Sequence, residues 1–251
     1  MCRHLCYLGP EIPFGEVVLK PAHGLYRQSW APRLQRHGTV NADGFGVGWY
    51  APGDPVPARY RRAGPIWADE QLPDLGRVVR TGALLAAVRD ATEAGADAEA
   101  AAAPFAAGRY LFSHNGAVAG WPGSLAGQAA ALPAEELLRL QARCDTALLW
   151  ALVQHRLTSG DAPGEALADT VLAVAAAAPG SRLNLLLTDG TTIAATTWGD
   201  TLFHLALPEG GTVVASEPYD DSPHWTEVPD GTLLTATRHD VRLSPLKEPA
   251  A

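Results

Sequence analysis

The chain has 251 residues, of which 47% are hydrophobic and 18% are charged, and this composition fits one large packed domain or two small ones rather than a disordered chain. Its formal net charge of -8 excludes a surface built to neutralise nucleic-acid phosphates. No apolar run reaches the roughly 18 residues of a membrane span, and no signal-peptide pattern opens the chain, so we expect a cytoplasmic protein.

The cysteine and histidine content argues against disulfides and metals. Three cysteines, Cys2, Cys6 and Cys144, are too few for a disulfide scaffold, and their odd number fits a reducing compartment. Eight histidines are scattered without the spacing of metal ligands. We therefore predict free thiols, no metal site and no cofactor.

Three strands are predicted in the first quarter of the chain. The start of the chain is typical of a short buried strand over residues 2–8, closed by Gly9 and Pro10. Phe45, Val47 and Trp49 alternate with glycines in a second strand, and residues 59–62 form a polar third. A chain terminus built into the core is unusual, because most termini fray.

The middle of the chain mixes strands and helices. Strands are predicted at residues 83–89 and 110–113, and the stretch 94–103 between them fits either a loop or a short exposed helix. Apolar residues at helical spacing predict two amphipathic helices, one after Asp145, which is placed to cap it, and one after Pro163.

The last third is rich in short β-runs separated by Asp-Gly, Gly-Asp and Gly-Gly turns, which predict a sheet of hairpins. The runs are residues 183–188, 191–197, 202–207, 213–216 and 233–237. Strands, then helices, then strands favour an α+β layered domain over a βαβ array. We expect the tail after Pro245 to be loose.

Cys2 has a functional and a structural interpretation. Removal of Met1 would leave Cys2 with a thiol and a free α-amine, which titrates at about 7.7 to 8.0 and can accept the thiol proton. Cys2 would then supply both nucleophile and base. The alternative is a small buried residue, because free cysteines are commonly buried.

Asn115 and Gly116 end a predicted strand and offer two convergent donors. A side-chain amide beside a glycine N–H is what an oxyanion hole requires. The same Asn-Gly pair also fits a type I′ hairpin turn. Local sequence does not decide between these two interpretations.

Two charged residues are placed to hold a small zwitterion. Arg89 ends an apolar strand, where its guanidinium can bind a carboxylate bidentately or pair with a surface acid. Asp145 begins a predicted helix, where it can bind a substrate ammonium or serve as a cap.

Taken in chain order, these motifs resemble the class II glutamine amidotransferase domain. The matching stretches are Met1-Cys2 and residues 41–49, 88–92, 112–116 and 145–146, so the resemblance spans nearly the whole chain. It implies a single domain over residues 1–251 with the fold of an N-terminal-nucleophile hydrolase. That fold is an α+β four-layer αββα sandwich in which two antiparallel sheets pack between helices.

The resemblance also implies a role for each matching residue. Cys2 attacks a γ-glutamyl carbonyl, Asn115 and Gly116 hold the oxyanion, Arg89 binds the substrate α-carboxylate, and Asp145 binds its α-ammonium. The implied substrate-binding set is completed by Thr92, His114, Ser216 and Glu217.

Three stretches, residues 2–5, 35–50 and 215–221, resemble the branch of this family that acts in ergothioneine biosynthesis. This branch hydrolyses a γ-glutamyl amide whose amine side carries a trimethylammonium imidazole. Aromatic faces and carboxylates suit such a cation, at about 0.5 to 2 kcal/mol for each cation–π contact. Tyr219, Asp220 and Asp221 are the candidates for it.

Two other functions stay open at this stage. One is a glutaminase subunit that supplies ammonia to a separate synthase, and the other is a non-catalytic γ-glutamyl-binding protein. Because the chain leaves no room for a synthase domain, we expect net hydrolysis of a small-molecule substrate, without nucleic-acid or membrane partners. A homodimer stays possible. For Cys144 we predict a buried structural role.

Overall fold

A computed structural model describes residues 2–91 and 98–246. Its strands are β1 Cys2–Pro13, β2 Phe45–Trp49, β3 Ala58–Arg62, β4 Arg80–Arg89, β5 Phe105–Ala107, β6 Tyr110–Ala117, β7 Arg182–Thr188, β8 Ile193–Thr197, β9 Phe203–Ala206, β10 Thr212–Ala215, β11 Thr226–Glu227, β12 Thr232–Ala236 and β13 Val241–Pro245. Its α-helices are α1 Gly15–Val18, α2 Leu25–Gln28, α3 Leu72–Val78, α4 Ala126–Ala130, α5 Ala134–Leu138, α6 Asp145–Ser159 and α7 Pro163–Ala177.

The strands form two antiparallel sheets. The first sheet has the order β11-β9-β10-β1-β4-β2-β3, and the second has the order β13-β12-β8-β7-β6-β5. Strand β1 therefore lies in the middle of the first sheet, between β10 and β4. Its first residue, Cys2, is the register partner of Arg89 at the end of β4.

Alternating side chains explain the layers. In β1, Leu5 and Tyr7 pack with α1, α2 and α3, whereas Cys6 and Leu8 pack between the two sheets. Because β1 is covered on both faces, its central residues, Leu5 to Leu8, form an unbroken apolar run. On the far side, Phe112 of β6 stacks on Trp150 of α6, with ring centroids 5.0 Å apart. The layers are thus helices, sheet, sheet, helices, and the predicted αββα sandwich is confirmed.

Most predicted elements are present, with two corrections. Strand β1 continues through Gly9 and Pro10 to Pro13, with a register shift between Leu8 and Ile12, so its predicted end is wrong. The single sheet of hairpins after Arg182 is also wrong. The β9–β10 hairpin joins β1 in the first sheet, whereas β7, β8, β12 and β13 belong to the second.

Two regions are only partly described. Of the ambiguous stretch 94–103, residues 98–103 form turns and bends, which agrees with a loop, and residues 94–97 lie outside the described residues. Of the tail, Leu246 is described and its N–H donates to the carbonyl of Gly231. Among residues 2–91 and 98–246, none of the helices has both the length and the apolar character of a membrane span.

Candidate active site

Cys2 lies where the first sheet meets the second. Its backbone nitrogen donates to Asn115 Oδ1 across the two sheets, at 3.3 Å. Burial raises the pKa of the thiol, and the backbone N–H of Asp90, which hydrogen-bonds the sulfur, opposes that rise. The thiol is therefore neutral at rest, and attack on a carbonyl requires a base that takes its proton.

Asn115 and Gly116 lie within β6, opposite Asn184 and Leu183 of β7, so the hairpin-turn alternative is wrong. Since Asn115 Oδ1 accepts from Cys2, the amide is turned so that Nδ2 is a buried donor with no partner among the described residues. A buried unpaired donor is costly unless a ligand satisfies it.

Gly116 is required by close packing. A Cβ added at this position would overlap the carbonyl oxygen of Arg182 and lie 2.6 Å from His114 Nε2. A side chain larger than hydrogen therefore does not fit.

Arg89 and Asp145 approach Cys2 from different elements. Arg89 ends β4, and one of its guanidinium nitrogens donates to the carbonyl of Asp43 at 3.2 Å. The positive charge of Arg89 lowers the pKa of the Cys2 thiol and the negative charge of Asp145 raises it, each less than burial does. The two charges that suit the ends of a zwitterion thus lie near the predicted nucleophile.

Asp145 is the first residue of α6, and the cap position is held by Cys144, so the predicted cap is off by one residue. Asp145 Oδ2 accepts the Val118 N–H at 3.0 Å, and Oδ1 accepts the Thr146 N–H at 2.7 Å. Cys144 packs against the core below the helix, and burial raises the pKa of its thiol to about 11.

His114 and Thr92 have different outcomes. The His114 ring is buried, with Nδ1 3.1 Å from Thr146 Oγ1 and Nε2 2.9 Å from the Arg182 carbonyl. Both ring nitrogens thus connect β6 to α6 and β7. Thr92 lies outside the described residues.

Ser216 and Glu217 are fully buried next to β1. Ser216 Oγ accepts the N–H of His4, and the Ser216 N–H donates to the His4 carbonyl. Glu217 accepts the backbone N–H groups of Arg33 and Leu34 at 3.0 and 2.8 Å. The Ser216 and Glu217 side chains therefore form hydrogen bonds with backbone groups of the protein in this structure.

The three residues predicted to recognise the trimethylammonium group lie on the loop after Glu217. Tyr219 is 9% exposed and packs edge-to-face on Trp225, whose indole N–H donates to Asp220 Oδ1 at 2.8 Å. Asp221 is exposed and accepts from the guanidinium of Arg33 at 3.0 Å, with His23 nearby. All three side chains are held by protein contacts.

One contributor was missed by the sequence interpretation. Arg3 is fully buried, its Nε donates to the Cys2 carbonyl at 3.0 Å, and a guanidinium nitrogen lies 4.0 Å from Glu217. A charged residue inside an apolar strand was the available signal, since arginine is seldom fully buried unless it is paired.

Comparison with solved structures places this fold. A glutamine aminotransferase class-II domain protein from Silicibacter pomeroyi is 26% identical, with a TM-score of 0.71, and the match covers 98% of this chain and 99% of that one. A glutamine phosphoribosylpyrophosphate amidotransferase from B. subtilis is 17% identical, with a TM-score of 0.63, over 98% of this chain and 49% of that one. The fold and the site together define a class II glutamine amidotransferase domain of the N-terminal-nucleophile type.

Curated relatives narrow this class. The γ-glutamyl-hercynylcysteine sulfoxide hydrolase of Mycobacterium tuberculosis is 41% identical over 98% of this chain and 97% of its own length. That of Mycolicibacterium smegmatis is 39% identical over 98% of this chain and 100% of its own length. This chain belongs to the γ-glutamyl-hercynylcysteine sulfoxide hydrolase family. No protein-family profile matches it.

Proposed function

We propose that this enzyme hydrolyses γ-glutamyl-hercynylcysteine sulfoxide to glutamate and hercynylcysteine sulfoxide, a step of ergothioneine biosynthesis. The relatives that are 39 to 41% identical carry this activity in their names. Their names do not favour the two alternatives, a glutaminase subunit and a non-catalytic binding protein.

The glutamyl head of the substrate is held at both of its charges in this proposal. Arg89 binds the α-carboxylate and Asp145 binds the α-ammonium, in keeping with their opposite charges beside Cys2. Fixing both ends of the head places the γ-carbonyl against the sulfur, and such positioning contributes a large part of a catalytic rate.

The chemistry proceeds through a thioester. The α-amine of Cys2, free once Met1 is removed, takes the thiol proton, and the sulfur attacks the γ-carbonyl. Asn115 Nδ2 and the Gly116 N–H donate to the oxyanion. As the C–N bond breaks, the proton passes to the leaving nitrogen. Water, deprotonated by the same amine, then attacks the thioester and releases glutamate with the restored thiol.

The observation that carries this proposal is the contact between the Cys2 nitrogen and Asn115 Oδ1. It holds the atom that would act as base beside the thiol, and it leaves Asn115 Nδ2 as a buried unpaired donor. A carboxamide provides both functions with one group, because its oxygen accepts a hydrogen bond and its nitrogen donates one.

The direct test is to measure glutamate release from γ-glutamyl-hercynylcysteine sulfoxide and from glutamine, while intact mass reports whether Met1 is absent. We expect fast release from the first substrate, much slower release from glutamine, and a loss of at least about 10⁴-fold in Cys2→Ala. Efficient use of glutamine with the sulfoxide ignored would instead identify an ammonia-supplying subunit.

Recognition of the trimethylammonium group by Tyr219, Asp220 and Asp221 stays a proposal. Their carboxylates and ring have the required chemistry, and their contacts with Trp225 and Arg33 give them fixed positions. We expect Tyr219→Ala to reduce selectivity for the trimethylated substrate over its unmethylated analogue by about threefold to thirtyfold. Unchanged selectivity would refute the assignment.

Two broader expectations accompany this function. The free thiols of Cys2, Cys6 and Cys144 support a reducing compartment, the cytoplasm, as the place where the enzyme works. A homodimer stays a prediction, which light scattering on the purified protein would check.

A further inference from the structure

Residues 33–38, called here the 33–38 segment, have no helical or strand structure but are fixed to the protein interior. The fully buried carboxylate of Glu217 accepts the backbone N–H groups of Arg33 and Leu34. The same carboxylate faces Arg3, which donates to the carbonyl of Cys2. One buried carboxylate therefore connects the start of this segment to the predicted nucleophile.

The other end of the segment lies against the residue that contacts the thiol. Gly38 has a φ of 71°, and a Cβ added to it would overlap the carboxylate of Asp90. The backbone N–H of Asp90 hydrogen-bonds the Cys2 sulfur. Hence Gly38, at the end of the 33–38 segment, packs against the residue whose backbone contacts the sulfur, and only glycine suits this position.

The two arginines of the segment differ in what they contact. The guanidinium of Arg33 donates to Asp221 and to the carbonyl of Pro218. Arg36 is exposed, and its side chain makes no hydrogen bond or ion pair with any residue within 2–91 or 98–246. The fold thus uses Arg33 and leaves the charge of Arg36 available.

The proposed substrate has an anion at a matching place. In a γ-glutamyl cysteine derivative, the carbon bonded to the scissile nitrogen carries the cysteine carboxylate. Since Arg89 and Asp145 are assigned to the glutamyl head, recognition of this second carboxylate would fall to a different cation. A guanidinium binds a carboxylate through two parallel hydrogen bonds, which an ammonium group does not do.

We propose that Arg36 binds the carboxylate of the amine that is released, and that it thereby selects γ-glutamyl amino acids over glutamine. This inference rests on the proposed function. Arg36 is then a specificity-determining residue, carried on a segment whose backbone is held by Glu217 at Arg33 and Leu34.

Two probes that differ in one group test this inference. γ-Glutamylalanine carries the carboxylate, and γ-glutamylethylamide has hydrogen in its place. We expect Arg36→Ala to lower kcat/KM for γ-glutamylalanine by about tenfold or more, because a charge-assisted hydrogen bond is lost. Its kcat/KM for γ-glutamylethylamide should change by less than about twofold. Arg36→Lys should restore only part of the loss.

The matched control is Arg77→Ala, which removes an exposed arginine paired with Asp74 on α3. It should leave the ratio of the two kcat/KM values unchanged. An equal fall of both probes in Arg36→Ala, or no change in either, would overturn the inference while the hydrolase function stands. If the unsubstituted protein released no glutamate from either probe or from the hercynyl substrate, the proposed function itself would fail, and this inference with it.

Discussion

The two sides of Cys2 are built differently. On the proposed glutamyl side, Arg89, Asn115 and Asp145 are placed by β4, β6 and the first turn of α6. On the proposed amine side, the 33–38 segment has no regular structure and depends on a buried carboxylate for its position. Strands and a helix thus position the residues proposed for hydrolysis of any γ-glutamyl amide. An irregular segment carries the residue proposed to distinguish one amine side from another.

The largest effect should come from breaking the anchor of the amine side. Glu217→Gln removes the larger of two negative charges, those of Glu217 and Asp200, that act on the buried guanidinium of Arg3. Loss of one partner of a buried ion pair costs about 3 to 5 kcal/mol. We expect the free energy of unfolding in urea to fall by about that amount. Adding Arg3→Met should recover part of the loss, and an unchanged urea midpoint in the single variant would contradict the anchoring role.

The next effect concerns the glutamyl side alone. Asn115→Ala removes the proposed oxyanion donor and should lower kcat by about 10²- to 10³-fold. The matched control is Asn184→Ala, because Asn184 is the register partner of Asn115 on β7. Its side-chain amide forms hydrogen bonds with the backbone of residues 198, 200 and 201. Asn184→Ala should lower the urea midpoint more than kcat. Equal kcat losses in the two variants would show that Asn115 acts only through stability.

The smallest effect concerns His4, which connects the two sides. Its Nδ1 lies 3.1 Å from Ser113 Oγ on β6, and its backbone N–H donates to Ser216, which precedes Glu217. Burial lowers the pKa of His4 to about 3 in the folded protein. In the unfolded chain the pKa of this residue is about 6.5, so at mildly acidic pH the unfolded chain binds a proton there and the folded protein does not.

Stability should therefore fall as the pH falls below about 6.5, and the loss attributable to His4 between pH 6.5 and 5 is about 2 kcal/mol. Urea unfolding at several pH values checks this. His4→Asn removes the titrating group, so its free energy of unfolding should depend less steeply on pH over that interval. Equal slopes for the two proteins would rule out this contribution from His4.

The fold was largely accessible from the sequence, and so were the residues proposed for the glutamyl side. Alternation with glycines predicted β2, short runs typical of strands predicted β4 and β6, and the resemblance placed Cys2, Arg89 and Asn115 in one family pattern. Sheet membership was not accessible, because β8 and β10 are both short, apolar and flanked by turns. Their pairing distinguishes them, because β8 pairs with the preceding strand β7, whereas β10 pairs with the distant strand β1.

The amine side was less accessible for a physical reason. Glu217 follows a buried strand and precedes Pro218, which locally indicates a polar turn. Its partners are backbone groups 184 and 183 positions earlier, and backbone N–H groups leave no mark in a sequence. Tyr219 likewise carries no local sign that Trp225 packs against its ring.

The central place of β1 also sets an order of events during synthesis. Cys2 pairs with Arg89, Leu5 pairs with Ala215, and the Cys2 nitrogen contacts Asn115. In the folded protein, the residue that follows Met1 is therefore part of a paired strand and is only partly exposed. Under the proposed mechanism, we expect Met1 to be removed from the nascent chain, before β1 enters the sheet, because a chain that keeps Met1 has no catalytic amine.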